Sequence, residues 1–456
     1  MRSHGVEPRG LNPRIVQSAL HEGRFGRMFR RIPPAPRLSD AELTALSQGM
    51  RARAGAKGDN PEIPAGYTYV GQFIDHDITF DPQSRVDRDN DPDALVDYRT
   101  PRFDLDSVYG SGPDDEPFMY ERDSNGTRLL VETNGHGDDD LPRNKQGVAL
   151  VGDPRNDENA IVGQLHLLWL KFHNKVAAQV AADAGVADDR RFDETRRRVR
   201  WTYQRIVVDD YLPRICDPGT LARIWTADED GRPEIKTRFF RPLNRPFMPV
   251  EFSGAAFRFG HSQVRDAYDL SEHALARPIF VPHPLDDPLE DLRGFRRLPP
   301  GWTVEWRRFF PLGGSTPQAS RAIDTKLVAA LFDLPDSGGS LALRNLQRGQ
   351  ALGLPSGQDV ARAIRTPRVY TGAELAAPEP TPLWFYVLKE SELAGKGRHL
   401  GPVGTLIVAE VLLGLLRGDS QSFYARQPDW QATEVVPDAD DDGVVTMSDL
   451  VAFVLG

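Results

Sequence analysis

Helical periodicity constrains this fold more than any other feature of the sequence. Between residues 159 and 181, apolar side chains recur at i, i+4, i+7, i+8, i+11 and i+15: Ile161, Leu165, Leu168, Trp169, Phe172 and Val176. This spacing places them on one face of an α-helix. Residues 193–215 repeat the pattern opposite an arginine-rich face, which we interpret as solvated. Because alternating strand patterns are scarce, we predict a mainly α fold with little β structure.

Glycine and proline indicate how these helices are connected. The chain has 40 glycines and 37 prolines, which predicts long ordered loops, for example at residues 136–147 and 280–302. We find no internal repeat and no low-complexity linker before about residue 430. The prediction is one large domain over residues 1–430, followed by a C-terminal segment over residues 431–456.

Charge and cysteine content limit the possible partners. The net charge of -10 argues against nucleic acid or an anionic membrane as the main partner. Cys216 is the only cysteine, which excludes an intrachain disulfide and a cysteine-ligated metal centre. The longest apolar run, residues 401–418, is interrupted by Glu410 and is shorter than the roughly 20 residues of a membrane span. We expect a buried helix there and no membrane span.

The expected compartment stays open. The first twenty residues lack the uninterrupted apolar stretch of a secretory signal. We therefore expect a soluble protein that is either cytoplasmic or exported without a classical signal peptide.

The C-terminal segment contains the spacing of an EF-hand calcium loop. Loop positions 1, 3, 5, 7 and 12 are Asp438, Asp440, Asp442, Val444 and Asp449, with Gly443 at position 6. Alternate oxygen donors, including the position 7 carbonyl, converge on one Ca²⁺ in such loops. Aspartate at position 12 in place of glutamate predicts weaker binding or a smaller ion. The alternative is an acidic tail that binds no metal.

Two histidines have neighbours that favour a chemical role. His76 lies between Asp75 and Asp77 in "GQFIDHDITFDP", and His261 lies in the apolar, glycine-flanked "AFRFGHS". Burying two acids beside a histidine requires compensating partners. His166 and His173, seven residues apart, lie two helical turns from each other, so we interpret both as packing residues.

Five motifs together resemble a known family. In order and spacing, "GQFIDHD", "TPRFDLDSVYG", "GDPRNDENAIVGQLHLLWLKFHNKVA", "AFRFGH" and "LRNLQRGQALGLPSG" are similar to the animal-type haem peroxidases of the peroxidase–cyclooxygenase superfamily, over residues 20–430. The resemblance implies the myeloperoxidase-like fold and haem b. It also implies that the chain reduces H₂O₂ and oxidises a halide, a pseudohalide or a small aromatic donor.

The resemblance also assigns residues to the haem site. The catalytic residues it implies are the distal base His76, with Gln72 and Arg155. The haem-binding residues it implies are the iron ligand His261, its partner Asn345, the propionate partners Arg258 and Arg348, and Asp75 and Glu158. The last two would form ester bonds to haem. Asn159 stands where a methionine bonds haem in myeloperoxidase, so no sulfonium link is expected.

A calcium site beside the distal histidine follows from the same resemblance. Its ligands would be Asp77, the Thr100 hydroxyl, the Arg102 carbonyl, Asp104 and Asp106. Hard oxygen donors of this kind suit Ca²⁺. In "DHD", Asp75 would then attach haem, His76 would accept a proton and Asp77 would bind calcium.

Two other functions remain open at this stage. A fatty-acid dioxygenase on the same fold would use a tyrosine three residues before the proximal histidine, where this chain has Arg258. The chain could also be a calcium-dependent structural or adhesion protein with a vestigial haem site. The presence of His76, Arg155, His261 and Asn345 together argues against this second alternative.

Overall fold

A computed structural model describes residues 24–53, 58–79, 100–242, 246–281, 291–335 and 339–456 of the chain. The first twenty residues, the acidic stretch 85–97 and residues 282–290 of the expected loop 280–302 lie outside these described residues. The distal histidine, the proximal histidine and the C-terminal acidic loop lie inside them.

The described residues are mostly helical. Their α-helices are α1 (Asp40–Gly49), α2 (Gly66–Ile78), α3 (Asp106–Tyr109), α4 (Ala160–Ala182), α5 (Arg191–Arg205), α6 (Leu212–Ile215), α7 (Pro218–Ile224), α8 (Val250–Ser253), α9 (Gly260–Gln263), α10 (Leu341–Ala351), α11 (Gly357–Ile364), α12 (Gly372–Leu375), α13 (Leu383–Ala394), α14 (Pro402–Gly418), α15 (Phe423–Arg426) and α16 (Met447–Leu455). Short 3₁₀ turns connect several of them, including Pro154–Asp157 and Ala256–Phe259.

The strands among the described residues are short and form two-stranded ribbons. They are β1 (Phe25–Gly26), β2 (Asp59–Pro64), β3 (Glu132–Thr133), β4 (Asp139–Asp140), β5 (Trp225–Ala227), β6 (Pro233–Ile235), β7 (Met248–Pro249), β8 (Ala267–Tyr268), β9 (Arg277–Pro278) and β10 (Ala319–Arg321). β1 pairs with β7 in parallel, and the pairs β2–β10, β3–β4, β5–β6 and β8–β9 are antiparallel. The predicted mainly α fold is confirmed.

The long helix α4 is the element that the sequence predicted best. Its N-cap residue Asn159 accepts hydrogen bonds from the amides of Ile161 (3.1 Å) and Val162 (2.9 Å), which satisfies two donors that the helix itself cannot. The predicted apolar face is buried, and α4 packs against α2 and α5. The buried helix expected near residues 401–418 is α14.

The second periodic stretch forms one uninterrupted helical segment, but the middle of this segment is not α-helical. Between α5 and α6, residues Ile206–Tyr211 form a π-helix. Pro213 follows in α6, where it has no amide hydrogen and its ring would crowd the carbonyl four residues earlier. A wider turn before the proline relieves that crowding. Periodicity alone does not predict this change.

The C-terminal helix α16 packs on the same apolar core as the rest of the chain. The ring of Phe453 lies 6.0 Å from that of Phe172 in α4, and Met447 and Leu450 are fully buried. The amide of Met447 also donates to Asp210 in the π-helix (2.8 Å). The division of the chain near residue 430 stays a prediction. No described helix is both long and apolar enough to cross a bilayer.

Candidate active site

Helix α2 carries the acid-flanked histidine into the interior. His76 is 5% exposed, and Asp77 is completely buried. Gln72 lies one helical turn before His76, and Asp75 directly precedes it. Both side chains are half-buried. Since residues three and four apart share a helix face, Gln72, Asp75 and His76 face the same side, whereas Asp77 points away from them.

A buried asparagine fixes the ring of His76. Nδ1 of His76 lies 2.8 Å from Oδ1 of Asn156, and Nδ2 of Asn156 lies 2.9 Å from Nδ1 of His166. Both Asn156 and His166 are fully buried. Because Asn156 presents its oxygen to His76, Nδ1 of His76 carries the proton and Nε2 is left as the basic nitrogen.

Sequence reasoning missed Asn156 and interpreted His166 as packing alone. The available signal was the position of Asn156, directly after Arg155 in "GDPRNDE". His173 does match the packing interpretation. Its ring is held by the Tyr109 hydroxyl and the Thr127 carbonyl, each at 2.9 Å, and burial lowers its pKa to about 4.

Polar side chains surround the Nε2 side of His76. Oε1 of Glu158 lies 3.8 Å from this nitrogen, and the amide of Gln72 donates to the same carboxylate oxygen. Asn159 donates in turn to Oε1 of Gln72 (3.4 Å). Asp75 accepts from the hydroxyl of Thr79 (3.1 Å). The structure therefore brings Gln72, His76 and Glu158 together, as the sequence predicted for one site.

Arg155 is clamped against the C-terminal end of α2. Its Nη2 donates to the carbonyls of His76 (3.0 Å) and Thr79 and to Oδ2 of Asp153 (2.8 Å). Asp153 is fully buried. The guanidinium thus neutralises the negative end of the helix that carries His76. Its expected action on peroxide stays a prediction.

A glycine allows the turn that carries Arg155 to approach α3. A side chain at Gly152 would meet the backbone carbonyls of Asp106 and Ser107. The amide of Asp153 donates to the carbonyl of Ser107 (3.1 Å). Only glycine permits this approach, which fixes the Pro154–Asp157 turn relative to the acidic residues of α3.

His261 lies on the short helix α9, which packs against α2. Its Nδ1 lies 2.8 Å from the amide nitrogen of Asn345 in α10. Desolvation of the ring, followed by the positive charges of Arg258 and Arg348, lowers the pKa of His261 to about 3. The imidazole is therefore neutral at physiological pH, which is the charge state that ligates a metal.

The residues around His261 have the donor chemistry that haem requires. A neutral imidazole suits iron, and two guanidiniums close to it suit the carboxylates of the propionates. The indole of Trp384 donates to the carbonyl of Arg258 (3.2 Å), which holds this segment on α13. Asn345 and Arg348 are three residues apart on α10, so they share a face.

Three carboxylates converge behind the distal helix. Ligand atoms of Asp77, Asp104 and Asp106 all lie within 4.8 Å of one another. Asp77 also accepts from the Ser107 hydroxyl (3.1 Å) and the Leu105 amide (3.3 Å). Burial raises the pKa of Asp104, the charge of Arg200 opposes this shift, and the carboxylate of Asp419 adds to it. Buried like charges of this kind are stable when a cation or protons compensate them.

Thr100 and Arg102 precede this cluster, and the amide of Arg102 donates to the carbonyl of Thr100 (2.7 Å). The structure thus brings the three predicted acidic ligands together. Cation binding by them, and by Thr100 and Arg102, stays a prediction.

The C-terminal loop gathers Asp438, Asp440 and Asp442 in the same way. Asp449 also accepts from the amides of Thr446 (2.9 Å) and Ala439 (3.2 Å). It therefore caps α16 and closes the loop. The amide of Val444 donates to Asp442 (2.7 Å). Calcium binding by this loop also stays a prediction.

Comparison with known proteins identifies the family. The model of the animal haem peroxidase family matches residues 84–382, about two thirds of the chain. The chain belongs to the animal haem peroxidase family. Membership implies haem as the cofactor, which agrees with the donor set around His261.

Individual relatives are distant. Pig (Sus scrofa) thyroid peroxidase is 29% identical over 59% of this chain and 30% of its own length. The chain spans between 23% and 39% of the thyroid peroxidases that it matches. Peroxidase A from Dictyostelium discoideum matches at a TM-score of 0.70 with 18% identity, covering 100% of this chain and 98% of that one.

The fold is shared with a second class of enzyme. The fatty acid alpha-dioxygenase of Oryza sativa matches at a TM-score of 0.61 with 16% identity, covering 92% of this chain and 78% of that one. At these identities, both structural matches establish the fold alone. The predicted peroxidase–cyclooxygenase fold is confirmed.

Proposed function

We propose that this chain is a haem peroxidase that reduces H₂O₂ and oxidises a halide, a pseudohalide or a small aromatic donor. One observation carries the proposal. The two histidines on the adjoining helices α2 and α9 each have Nδ1 held at 2.8 Å by an asparagine amide. For His76 this arrangement leaves Nε2 as the basic nitrogen, because Nδ1 faces an oxygen acceptor.

The two asparagines have related roles. Asn156 presents oxygen to His76, which keeps the proton on Nδ1 and the lone pair on Nε2. For His261 to bind iron through Nε2, its Nδ1 must also carry a proton. Turning the Asn345 amide over exchanges two atoms of nearly equal size and presents its oxygen to the ring. We propose that Asn345 adopts this orientation when haem is bound.

His76 is the proposed proton acceptor. Haem, when bound, supplies the iron at which the O–O bond of peroxide is reduced. Nε2 of His76 takes a proton from one peroxide oxygen and returns it to the other as water forms. The side-chain amide of Gln72 donates to Glu158, which lies next to His76, and Gln72 can hold water or a halide. Arg155 provides permanent positive charge next to the backbone of His76, which favours the negative charge on the departing oxygen.

Arg258 and Arg348 are the proposed partners of the haem propionates. Both lie close enough to His261 to lower its pKa, so their charges surround the proximal ligand. A guanidinium matches a carboxylate with two parallel hydrogen bonds. A neutral amide from Asn345 gives the imidazole less electron density than a carboxylate would, which favours a more oxidising iron.

Covalent attachment of haem through Asp75 and Glu158 is a further part of this proposal. Both carboxylates are half-buried, and Glu158 lies against His76 and Gln72. Acid–acetone extraction of the holoprotein tests it. Haem that stays with the protein, and leaves in an Asp75→Asn/Glu158→Gln variant, supports the two esters. Complete extraction from the unaltered protein contradicts them.

The acidic cluster of Asp77, Asp104 and Asp106 is the proposed Ca²⁺ site, completed by Thr100 and Arg102. Asp77 follows His76 directly, so a bound cation would fix the helix turn that presents the distal imidazole. The C-terminal loop of Asp438, Asp440, Asp442, Val444 and Asp449 is proposed as a second, weaker Ca²⁺ site.

The alternative functions differ from this proposal at specific positions. The dioxygenase mechanism needs a tyrosine three residues before the proximal histidine, and Arg258 stands there. The contacts of the nearby Tyr268 are those of a structural residue, since its hydroxyl accepts from the amide of Arg265 (2.9 Å). A structural protein with a vestigial haem site would not need the basic Nε2 of His76.

Absorbance spectroscopy with H₂O₂ tests the proposal. The holoprotein should give a Soret band that shifts when peroxide is added and returns when a halide or a phenolic donor follows. His76→Ala should retain the band and react about 10² to 10⁴ times more slowly with peroxide. A band that does not respond to peroxide supports the structural alternative, and peroxide-independent oxygenation of a fatty acid supports the dioxygenase.

A further inference from the structure

A concave surface elsewhere on the protein has no residue in common with the proposed haem site. It lies between α5 and residues 421–427 and encloses about 810 Å³. Five arginines line it: Arg190, Arg196, Arg197, Arg200 and Arg426. The sequence predicted a solvated arginine face on α5, and the structure shows that this face forms one wall of a cleft.

The acidic residues of the cleft compensate only part of this charge. Arg196 pairs with Asp193 (3.1 Å), and Arg197 pairs with Glu194 (2.7 Å). Arg190 and Arg426 are exposed and make no ion pair within the part of the chain that the structure describes. Positive charge therefore accumulates in this cleft on a chain whose net charge is -10.

Arg200 is incompletely bonded. Its side chain is 16% exposed, and its nearest carboxylate oxygen is Oδ2 of Asp419, 3.7 Å from Nη2. That distance exceeds a hydrogen bond. The buried Nε of Arg200 and Oδ2 of Asp419 both lack a hydrogen-bond partner among the described residues. The carboxylate of Asp419 thus offsets the charge of Arg200 without hydrogen bonding to it.

Contacts within the protein hold Trp201, which lines the cleft, in place. The indole of Trp201 donates to the carbonyl of Gln421 (2.9 Å) and packs against Trp430 with ring centroids 5.4 Å apart. The guanidinium of Arg197 lies 4.2 Å from the centroid of the Trp201 ring. Side chains that are already fixed lose little entropy when a ligand binds.

We propose that this cleft binds a small organic anion that carries two or more phosphate or carboxylate groups, with Arg190, Arg200 and Arg426 as its partners. The volume lies within the range of about 300 to 1,000 Å³ that is typical of small-molecule sites. Guanidinium groups match phosphate and carboxylate oxygens in pairs. The acidic character of the whole chain opposes a nucleic acid, which needs an extended basic surface.

Isothermal titration calorimetry of the full chain tests this site, with pyrophosphate as the phosphate probe and citrate as the carboxylate probe at constant ionic strength. At least one probe should bind with a stoichiometry of one, and acetate should not compete. Arg190→Gln/Arg426→Gln should weaken binding by about tenfold or more, because each exposed arginine contributes a charge-assisted hydrogen bond. Neither residue has an ion pair to lose, so the variant should fold.

Arg232→Gln/Arg362→Gln is the matched control, since both arginines are exposed and lie outside the cleft. This control should bind as the unaltered chain does. Absence of binding at millimolar probe, or equal weakening in the control, overturns the proposal. Binding of a single-stranded oligonucleotide or of anionic vesicles through the same arginines, without binding of either small probe, also overturns it.

Discussion

The amide oxygen of Asn156 lies 2.8 Å from Nδ1 of His76 and sets the protonation of the distal imidazole. We expect Asn156→Ala to lower the rate of reaction with peroxide by about tenfold or more, because an unfixed ring presents the basic Nε2 for only part of the time. Stopped-flow absorbance across a pH series measures this rate.

Asn134→Ala is the control for this variant, because it removes another buried amide, whose partners Asp138, His136 and the carbonyl of Leu298 lie outside the proposed haem site. It should leave the rate unchanged. Equal loss in both variants would assign Asn156 to stability rather than to the positioning of His76.

His261→Ala should abolish haem binding, since no other group on α9 can supply an imidazole to the iron. The ratio of Soret to protein absorbance after reconstitution with haem measures the loss. His273→Ala changes an exposed histidine and should keep the full ratio. Unchanged haem content in His261→Ala would refute the ligand assignment.

Removal of a cation from the Asp77 cluster should destabilise the protein. At a calcium concentration about a hundredfold above Kd, binding stabilises the folded state by about 3 kcal/mol. A chelator should remove this stabilisation, as measured by denaturant unfolding. Asp77→Asn keeps the shape of the side chain and should make stability insensitive to the chelator.

Asp442→Asn separates the two candidate cation sites, because this carboxylate belongs to the C-terminal loop. It should leave most of the chelator effect in place. If it removes the whole effect while Asp77→Asn removes none, calcium acts through the terminal loop and not beside His76.

Glu390 should make stability fall as pH rises. Burial raises the pKa of this carboxyl from its ordinary value of 4.5 to about 8, although the amides of Val403 and Gly404 oppose the shift. Between about pH 4.5 and 8 the folded state therefore binds a proton that the unfolded state has lost. Stability is lost with rising pH through this window.

Glu390→Gln should flatten the pH dependence, because the amide is neutral at every pH and its oxygen can still accept from Val403. The change should amount to a few kcal/mol at pH 8. Denaturant unfolding at several pH values measures it. Glu392→Gln, on the same helix but partly exposed, should keep the original slope. An unaltered slope in Glu390→Gln would contradict the raised pKa.

Local sequence patterns were sufficient to predict much of the helical framework. The bounds of α4 and α14 follow from apolar periodicity and end signals such as Asn159, since helix formation depends on neighbours within about four residues. The same reasoning failed in the π-helix Ile206–Tyr211, which Pro213 follows. The amide of Met447, 237 positions away along the chain, donates to Asp210 in this π-helix.

The sequence by itself determined the mainly helical fold, the family and the set of side chains that can serve a haem site, because periodicity and motif order are properties of the chain. Only the tertiary structure decided what each side chain contacts. Asn156 became the partner of His76 across 80 positions, and the arginines of α5 became one wall of a cleft. Hydrogen bonds and electrostatic fields act over a few ångströms in space, and no spacing along the chain reports such distances.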